Sequence, residues 1–360
     1  MTYLQPTPAV DSRPVRLGLI GAGWIGAFHA ESVARRIPGA VLEAVADPFL
    51  DNARGLADRL GVAKVTVDPG DLFTDPAIDG VIIASPVRFH AQLISAAARA
   101  GKHVFCEKPA GLDLEELDAA LADVGRAGVN FQVGFNRRYA EDFLAAKRDI
   151  DSGVVGTPQL LRSLTRDPGT GSIPGAAKTP PWTVFMETLI HDFDTLNWFN
   201  AGAEPVQVYA VADALVEPAY KDHGFLDTAV VTIRYDNGAV AVAEASFSAL
   251  YGYDIRGEVF GSKGMVQAGR STETAARRYT AAGLSADTPR LNIELFKQAY
   301  TDELADFAAG IAGLPEIVGK GTTPGGADAR RALATALACI ESVRTGAPAG
   351  VARPAHVAGA

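Results

Sequence analysis

The chain has 360 residues, of which 48% are hydrophobic and 21% are charged, the composition of an ordinary globular protein. This length is long for a single core, so we expect two domains. The formal net charge of −9, without a basic cluster, argues against a nucleic-acid groove. The cysteines, Cys106 and Cys339, indicate a reducing compartment without a disulfide framework. Residues 2–14 do not resemble a signal peptide and no apolar run reaches transmembrane length, so we expect a cytoplasmic protein that does not bind membranes.

A glycine-rich turn at residues 21–26, which reads G-x-G-x-x-G, is the most informative motif. It follows an apolar strand at 15–20 and leads into a helix at 27–36, and a second strand at 41–46 ends at an acid. This order is that of a dinucleotide site, because the first glycine allows a tight turn, the second admits a pyrophosphate and the third lets helix and strand pack. The predicted cofactor contacts in this turn are Gly21, Gly23, Trp24, Ile25 and Gly26.

The acid at the end of the second strand is Asp47. A carboxylate there accepts hydrogen bonds from the ribose hydroxyls of NAD and repels the 2′-phosphate of NADP. The nearest arginine, Arg54, falls in the following helix. We therefore expect NAD rather than NADP. The sequence leaves open the alternative that Asp47 is only a turn or cap residue.

Strands and helices continue to alternate through the first part of the chain. Strands are predicted at 63–67, 80–84, 103–106 and 130–135, and helices at 52–60 (ended by Gly61), 90–100 and 113–127 (capped by Asp113). This pattern predicts an α/β Rossmann domain, a doubly wound parallel sheet, over residues 14–133. A ligand of such a sheet lies at the carboxyl ends of the strands. The residues at these ends include Ser85, Pro86, Glu107, Lys108, Asn136 and Arg137. Further cofactor contacts are predicted at Ser85, Pro86, His90 and Glu107.

The second part of the chain has a different pattern. Strands are predicted at 158–166, 205–215, 228–235, 239–247 and 258–260, with a hairpin turn at 236–238. Helices are predicted at 187–199, 293–311 and 327–344. We expect an α+β domain over 134–326 with a large, mostly antiparallel sheet, while the helix at 327–345 joins the first domain. The open face of the sheet favours a homo-oligomer, a dimer or a tetramer.

Two groups of residues suggest acid–base chemistry. Lys108 follows a buried strand and could hold a substrate oxygen, although a surface lysine in a turn is the alternative. Its bond to Pro109 is expected to be trans by default. Glu187 and His191 are four residues apart, so on a helix the carboxylate could orient the imidazole as a general base. An exposed charged helix face is the alternative, and a metal site with Asp194 is disfavoured because no further histidine completes it.

These segments carry a resemblance to a known family. The chain resembles the Gfo/Idh/MocA family of NAD(P)-dependent sugar and polyol oxidoreductases, and within it the inositol 2-dehydrogenases. The resemblance spans nearly the whole chain. The residues that carry it are the glycine turn with His29, the Ala-Ser-Pro at 84–86 with His90, the Glu-Lys-Pro at 107–109, the segments 134–139, 191–194 and 251–254, and Ala299-Tyr300 with Glu303 and Phe307.

The resemblance implies specific roles. Lys108 is then the catalytic lysine and His191 the acid/base, while Asn136, Arg137 and Tyr253 line a polyol site. The family pattern has an aspartate where this chain has Glu187, which reaches one methylene further. That difference and a Gly/Pro-rich segment at 169–182 suggest a different or larger ligand.

The expected function is oxidation of a secondary hydroxyl of a cyclic polyol or sugar by hydride transfer to NAD. The alternatives are a sugar or sugar-glycoside dehydrogenase or a keto-sugar reductase on the same site, and a non-catalytic sugar- or nucleotide-sensing regulator. Because the sequence contains both Lys108 and His191, it favours an enzyme over a regulator.

Overall fold

The computed structural model describes residues 13–169, 179–315 and 321–353. It divides the chain into two compact units. Unit 1 contains the chain up to Glu107 together with 118–134 and 300–323. Unit 2 contains 108–117, 135–299 and the chain from Pro324 onward. Each unit therefore takes segments that are far apart in the sequence.

Unit 1 is built on a six-stranded parallel sheet. Its strands are β1 (Val15–Ile20), β2 (Ala40–Ala46), β3 (Lys64–Thr66), β4 (Gly80–Ile83), β5 (His103–Glu107) and β6 (Phe131–Gly134). They are ordered β3-β2-β1-β4-β5-β6, so the strand order reverses direction between β1 and β4. Strand β4 is buried along its whole length, as in a sheet covered on both faces. The predicted Rossmann fold is confirmed.

The helices that accompany this sheet begin and end at residues with physical reasons to do so. They are α1 (Trp24–Arg35), α2 (Leu50–Leu60), α3 (Pro69–Thr74), α4 (His90–Arg99) and α5 (Leu114–Ala127). Gly61 ends α2 in the left-handed conformation, with φ of +74°. Asp113 caps α5 by accepting from the backbone N–H of Glu115 at 2.8 Å. Helix α3, capped by Asp68 with Pro69 at its first position, was not predicted.

Unit 2 is built on a seven-stranded mixed sheet, ordered β12-β11-β7-β10-β9-β8-β15. In chain order its strands are β7 (Pro158–Arg166), β8 (Pro205–Asp213), β9 (Thr228–Tyr235), β10 (Val240–Ser246), β11 (Asp254–Gly261), β12 (Met265–Ala268) and β15 (Ala349–Gly350). A separate hairpin joins β13 (Arg278–Thr280) to β14 (Gly283–Ser285). Strands β7 and β10 are parallel, and the other neighbours are antiparallel, as predicted for the sheet as a whole.

The helical segments of unit 2 include one irregular stretch. They are 3₁₀ turns at Asn136–Tyr139 and Pro218–His223, α6 (Glu141–Asp151), a π-helical segment at Val184–Leu189, α7 (Ile190–Phe199) and α9 (Gly326–Thr345). Helix α8 (Asn292–Ile311) contributes its part from Tyr300 onward to unit 1. The single helix predicted over 187–199 is therefore wrong at its start, where π-helical bonding precedes α7. Such π segments occur often at functional sites.

The predicted placement of the last helix in the first domain is wrong. Helix α9 packs in unit 2, where the Ser342 hydroxyl accepts a hydrogen bond from Ala210 N at 3.0 Å and Arg331 pairs with Glu204 at 2.8 Å. The sequence predicts the helix α9 itself, but it does not specify which of the two units the helix packs against. In the part of the chain that the structure describes, no helix combines the length and apolar character needed to cross a bilayer.

Candidate active site

The glycine turn of unit 1 has the shape of a phosphate cradle. Gly21 has φ of +100°, and a Cβ on it would lie 2.6 Å from the Ala84 carbonyl oxygen. A Cβ on Gly26 would lie 1.9 Å from the carbonyl oxygen of Gly21, so helix and turn touch there. A Cβ on Gly23 would meet no atom within 4 Å. The turn thus leaves space above the N-terminus of α1, beside the exposed Trp24, where a pyrophosphate fits.

Asp47 is buried at the end of β2 and holds the glycine turn in place. One carboxylate oxygen accepts from the backbone N–H of Ala22 at 2.8 Å, and the other accepts from that of Phe49 at 2.9 Å. Asp47 is therefore a turn residue, one of the two roles considered for it. Each carboxylate oxygen has a further lone pair, so these bonds are compatible with a ribose contact as well.

The end of β4 presents a second set of polar groups in unit 1. The Nε2 atom of His90 lies 2.7 Å from the Ser85 carbonyl oxygen, which can only accept, so Nε2 carries the proton. The Ser85 hydroxyl oxygen is buried and has no hydrogen-bond partner among the described residues. Pro86 beside it is exposed. A buried hydroxyl of this kind fits a polar ligand at this edge of the sheet. Ile25, another predicted cofactor contact, is half-buried at the start of α1.

Strand β5 ends in the Glu-Lys-Pro motif. Glu107 is 7% exposed, and its carboxylate lies 2.6 Å from Nε2 of His29. The following Lys108–Pro109 bond is cis, so the trans default expected from the sequence is wrong. The cofactor contact predicted for Glu107 stays a prediction.

In unit 2, Lys108 and His191 are linked through the π-helical segment. The Lys108 ammonium donates a 3.1 Å hydrogen bond to the backbone carbonyl oxygen of Glu187. Burial, and then the positive charges of Lys108 and Arg137, hold the pKa of His191 well below its ordinary value. A neutral imidazole beside an ammonium group is suited to accept a proton from a hydroxyl that the ammonium group polarises.

The predicted orientation of His191 by Glu187 is absent from the structure. No hydrogen bond joins the Glu187 carboxylate to the imidazole among the described residues, and Nδ1 of His191 is buried without a partner there. The imidazole instead packs edge-on against Phe135, with ring centroids 6.1 Å apart. Glu187 contacts Lys108 through its backbone, because the π-helical segment begins before it.

Arg137 lies in a buried polar network of unit 2. Its guanidinium is 2.8 Å from one oxygen of Asp192 and 2.6 Å from the Thr165 hydroxyl. Ser163 and Thr165 also donate to Asp192, at 2.5 and 2.6 Å. Asn136 beside it is 2% exposed. These contacts give Arg137 a supporting role behind His191, while direct substrate contact by Asn136 or Arg137 stays a prediction.

Tyr253 pairs with a carboxylate that the sequence analysis did not single out. Its hydroxyl donates to Asp167, whose other oxygen accepts from the backbone N–H of Gly169 at 2.8 Å. Burial and the charge of Asp167 raise the pKa of the Tyr253 hydroxyl. Most of the Gly/Pro-rich segment at 169–182 that suggested a different or larger ligand, namely 170–178, lies outside the described residues. The polar pair Asp167–Tyr253 adds hydroxyl-binding capacity to unit 2.

Sequence reasoning missed Asp167 and the Asp192 network. The available signal was on β7, where the polar residues Ser163 and Thr165 occupy inward positions. Asp194, the third member of the disfavoured metal group, is paired with Arg138 at 2.5 Å, and burial raises its pKa to about 6. Among the described residues, three others could hold an ion together: His29, Glu107 and Glu303.

Both units match family models. The model described as an oxidoreductase family with an NAD-binding Rossmann fold matches residues 15–135, and the GFO/IDH/MocA C-terminal domain matches 143–267. The chain belongs to the Gfo/Idh/MocA family. The resemblance inferred from the sequence is thereby confirmed, and the open turn at Gly23 fits the NAD-binding domain.

Similar proteins cover nearly the whole chain. It is 38% identical to the uncharacterized oxidoreductase YrbE of Bacillus subtilis, over 96% of this chain and 99% of that protein. It is 36% identical to the scyllo-inositol 2-dehydrogenase (NAD(+)) of Bacillus subtilis, over 93% of this chain and 95% of that protein. The structure of scyllo-inositol dehydrogenase from Lactobacillus casei with bound NAD(H) and scyllo-inositol is similar with a TM-score of 0.89, at 29% identity, covering 95% of this chain and all of that one.

Proposed function

We propose that the protein oxidises a secondary hydroxyl of a cyclic polyol, an inositol or a close analogue, using NAD. The hydrogen bond that fixes Lys108 to the π-helical segment just before His191 is the observation that carries this proposal, and the lowered pKa of His191 agrees with it. NAD, held by the glycine turn and Asp47, supplies the hydride acceptor when bound. The relatives named as scyllo-inositol dehydrogenases favour a polyol over the sugar-glycoside, keto-sugar and sensor alternatives.

The residues of unit 2 have separate tasks in this reaction. The Lys108 ammonium donates to the substrate oxygen and stabilises the negative charge that develops on it. The imidazole of His191 accepts the hydroxyl proton, which its lowered pKa permits at neutral pH. We assign Asn136, Arg137 and Tyr253 to the polyol site, with Arg137 acting through Asp192.

The test is NADH formation by the purified protein with NAD and with NADP, across inositols, monosaccharides and glycosides. Turnover of an inositol with NAD supports the proposal and shows that Glu187 is compatible with an inositol substrate. Activity on a sugar alone contradicts the polyol assignment. Tight NAD binding without turnover of any alcohol contradicts the dehydrogenase and leaves the reductase and the sensor.

We propose further that the protein is a homo-oligomer through the open face of the seven-stranded sheet. Apolar side chains stand exposed on that face of neighbouring strands; they include Leu160, Tyr209, Val211, Val230, Val240 and Phe260. They form two groups, one of Tyr209, Val211 and Val230 and one of Leu160, Val240 and Phe260, and exposed apolar groups rimmed by polar residues mark interfaces. Sedimentation velocity should give a dimer or tetramer that dissociates in Val211→Glu/Val230→Glu. The control Leu284→Glu, on the separate hairpin, should not change the mass, and a monomeric wild-type protein would contradict the proposal.

We also assign the protein to the cytoplasm. Cys106 and Cys339 are both buried free thiols, as expected in a reducing compartment. Fractionation of the source cells, with the protein detected by antibody, tests this assignment.

A further inference from the structure

Three acid–base side chains meet in a buried cluster of unit 1 at the end of β5. His29 of α1, Glu107 of β5 and Glu303 of α8 are 0%, 7% and 0% exposed. One nitrogen or oxygen atom from each lies within 4.8 Å of the others. The Nε2 atom of His29 is 2.6 Å from a carboxylate oxygen of Glu107, a hydrogen-bonded separation. We call this group the buried trio.

Aromatic rings pack around His29. The His29 ring is edge-on to Phe105 and Tyr300, with ring centroids 5.5 and 6.0 Å apart. The amide of Gln132 donates to the backbone carbonyl of Glu303 at 2.7 Å, not to its carboxyl group. Both carboxyl oxygens of Glu303 are buried without a hydrogen-bond partner among the described residues. Glu303 is therefore a buried acid whose carboxyl group has no protein partner among those residues.

The charge of the trio follows from this burial. Two carboxylates this close in a buried site do not readily both ionise. Burial, and then the charge of Glu107, raise the pKa of Glu303 well above its ordinary value, which favours the neutral form of Glu303. The Glu107 carboxylate is the member of the trio that is hydrogen-bonded to His29.

The carboxyl group of Glu303 is expected to oppose the stability of the fold, because it is buried without a partner among the described residues. A buried acid without partners destabilises the folded state, and a leucine of similar volume would bury apolar surface in its place. Groups that oppose stability in this way occur at functional sites. The neighbour on which Glu303 acts is Glu107, whose carboxylate also packs on Gly134, where a Cβ would lie 3.2 Å from it.

We propose that Glu303 and His29 are positioning residues that confine the Glu107 carboxylate to one orientation and so fix where the chain enters Lys108. His29 holds one oxygen of Glu107, and the neutral carboxyl group of Glu303 fills the space beside it. Glu107 is bonded directly to Lys108, so its placement sets the start of the catalytic residue. This inference rests on the proposed function. A misplacement of a catalytic group by about 1 Å can lower the rate about a hundredfold.

The experiment compares Glu303→Leu, Glu303→Gln and the matched control Thr301→Val. Thr301 lies on the same helix, is 6% exposed and is 3.5 Å from the Ser32 hydroxyl. In Glu303→Leu we expect an unchanged or higher Tm, KM values within about threefold and a kcat lowered about tenfold or more. The deuterium isotope effect on kcat, with substrate labelled at the reacting carbon, should rise. Glu303→Gln, a neutral isostere, should keep kcat within about threefold, and Thr301→Val should match the wild type.

Each other result overturns the inference in a recognisable way. Wild-type kcat in Glu303→Leu shows that Glu303 has no part in positioning. A fall of both Tm and NAD affinity in Glu303→Leu shows that Glu303 has a merely structural role. If the wild-type protein contains one equivalent of divalent metal and Glu303→Leu contains none, the trio is a cation site instead. If Glu303→Leu does not fold, Glu303→Met replaces it with the same expectations. A wild-type protein inactive on every alcohol overturns the proposed function and this inference together, whereas an active one isolates the inference.

Discussion

The ammonium group of Lys108 donates a 3.1 Å hydrogen bond to the backbone carbonyl oxygen of Glu187, 79 residues further along the chain. This bond joins the Glu-Lys-Pro turn to the π-helical segment that precedes His191. The position of the lysine charge is thereby fixed relative to the imidazole, and that charge contributes to the lowered pKa of His191. The two groups are expected to act as a unit in proton transfer.

Replacing Lys108 with methionine should remove turnover and leave cofactor binding intact. The substitution keeps the length of the side chain but removes the charge that stabilises the developing alkoxide, so kcat should fall about a hundredfold or more. NAD affinity, measured by calorimetry, should stay within about threefold because the substitution leaves the glycine turn and Asp47 unchanged. A variant with wild-type kcat would show that Lys108 is not catalytic.

The pH dependence of kcat/KM should show a neutral His191. A base works in its unprotonated form, and the pKa of His191 is held below the ordinary 6.5 by burial, Lys108 and Arg137. Activity should therefore persist as the pH falls through 6.5 and decline only at lower pH. In the residual turnover of Lys108→Met, the acid limb should move to higher pH, because one of the charges that depress the pKa is gone. An acid limb at or above 6.5 in the wild type would contradict this assignment.

The sequence predicted some levels of this structure better than others. The parallel sheet and the glycine turn were predicted because glycine geometry and buried strands are local features, and Gly61 and Asp113 end and begin helices where expected. The unit that α9 joins depends on which surface its apolar face covers, which no local pattern specifies. The role of Glu187 depends on π-helical bonding that its spacing from His191 did not reveal.

Two glycines of the turn should respond differently to alanine. Gly26→Ala places a Cβ 1.9 Å from the Gly21 carbonyl oxygen. The free energy of unfolding should therefore fall by about 1–3 kcal/mol or more, as in overpacked sites. Gly23→Ala meets no atom within 4 Å, so stability should change by about 1 kcal/mol or less. Its Cβ would enter the space for the pyrophosphate, and NAD affinity should fall. Urea unfolding measures the effect on stability, and calorimetry measures the effect on NAD affinity. Unchanged NAD affinity in Gly23→Ala would show that the pyrophosphate does not bind at the glycine turn.

Asp47→Asn should weaken the discrimination against NADP. The amide has one acceptor oxygen where Asp47 uses two, for the N–H groups of Ala22 at 2.8 Å and Phe49 at 2.9 Å, so one turn bond is lost. The substitution also removes the negative charge that repels a 2′-phosphate. The ratio of kcat/KM for NAD to that for NADP should fall about tenfold or more, because one charge is lost. The exposed Asp51→Asn in the same region is the control. An unchanged ratio would mean that Asp47 serves the turn alone.

The buried pair of Arg137 and Asp192 should be far more important for stability than an exposed pair of the same chemistry. Both side chains are almost completely buried and 2.8 Å apart, so Arg137→Met leaves Asp192 charged and uncompensated. We expect a loss of about 3–5 kcal/mol in the free energy of unfolding. The double variant Arg137→Met/Asp192→Leu should recover much of it, since neither charge then remains buried. Arg162→Met breaks the more exposed pair with Glu244 and should cost about 1 kcal/mol or less. Equal losses in Arg137→Met and Arg162→Met, by urea unfolding, would show that burial does not set the strength of the Arg137 pair.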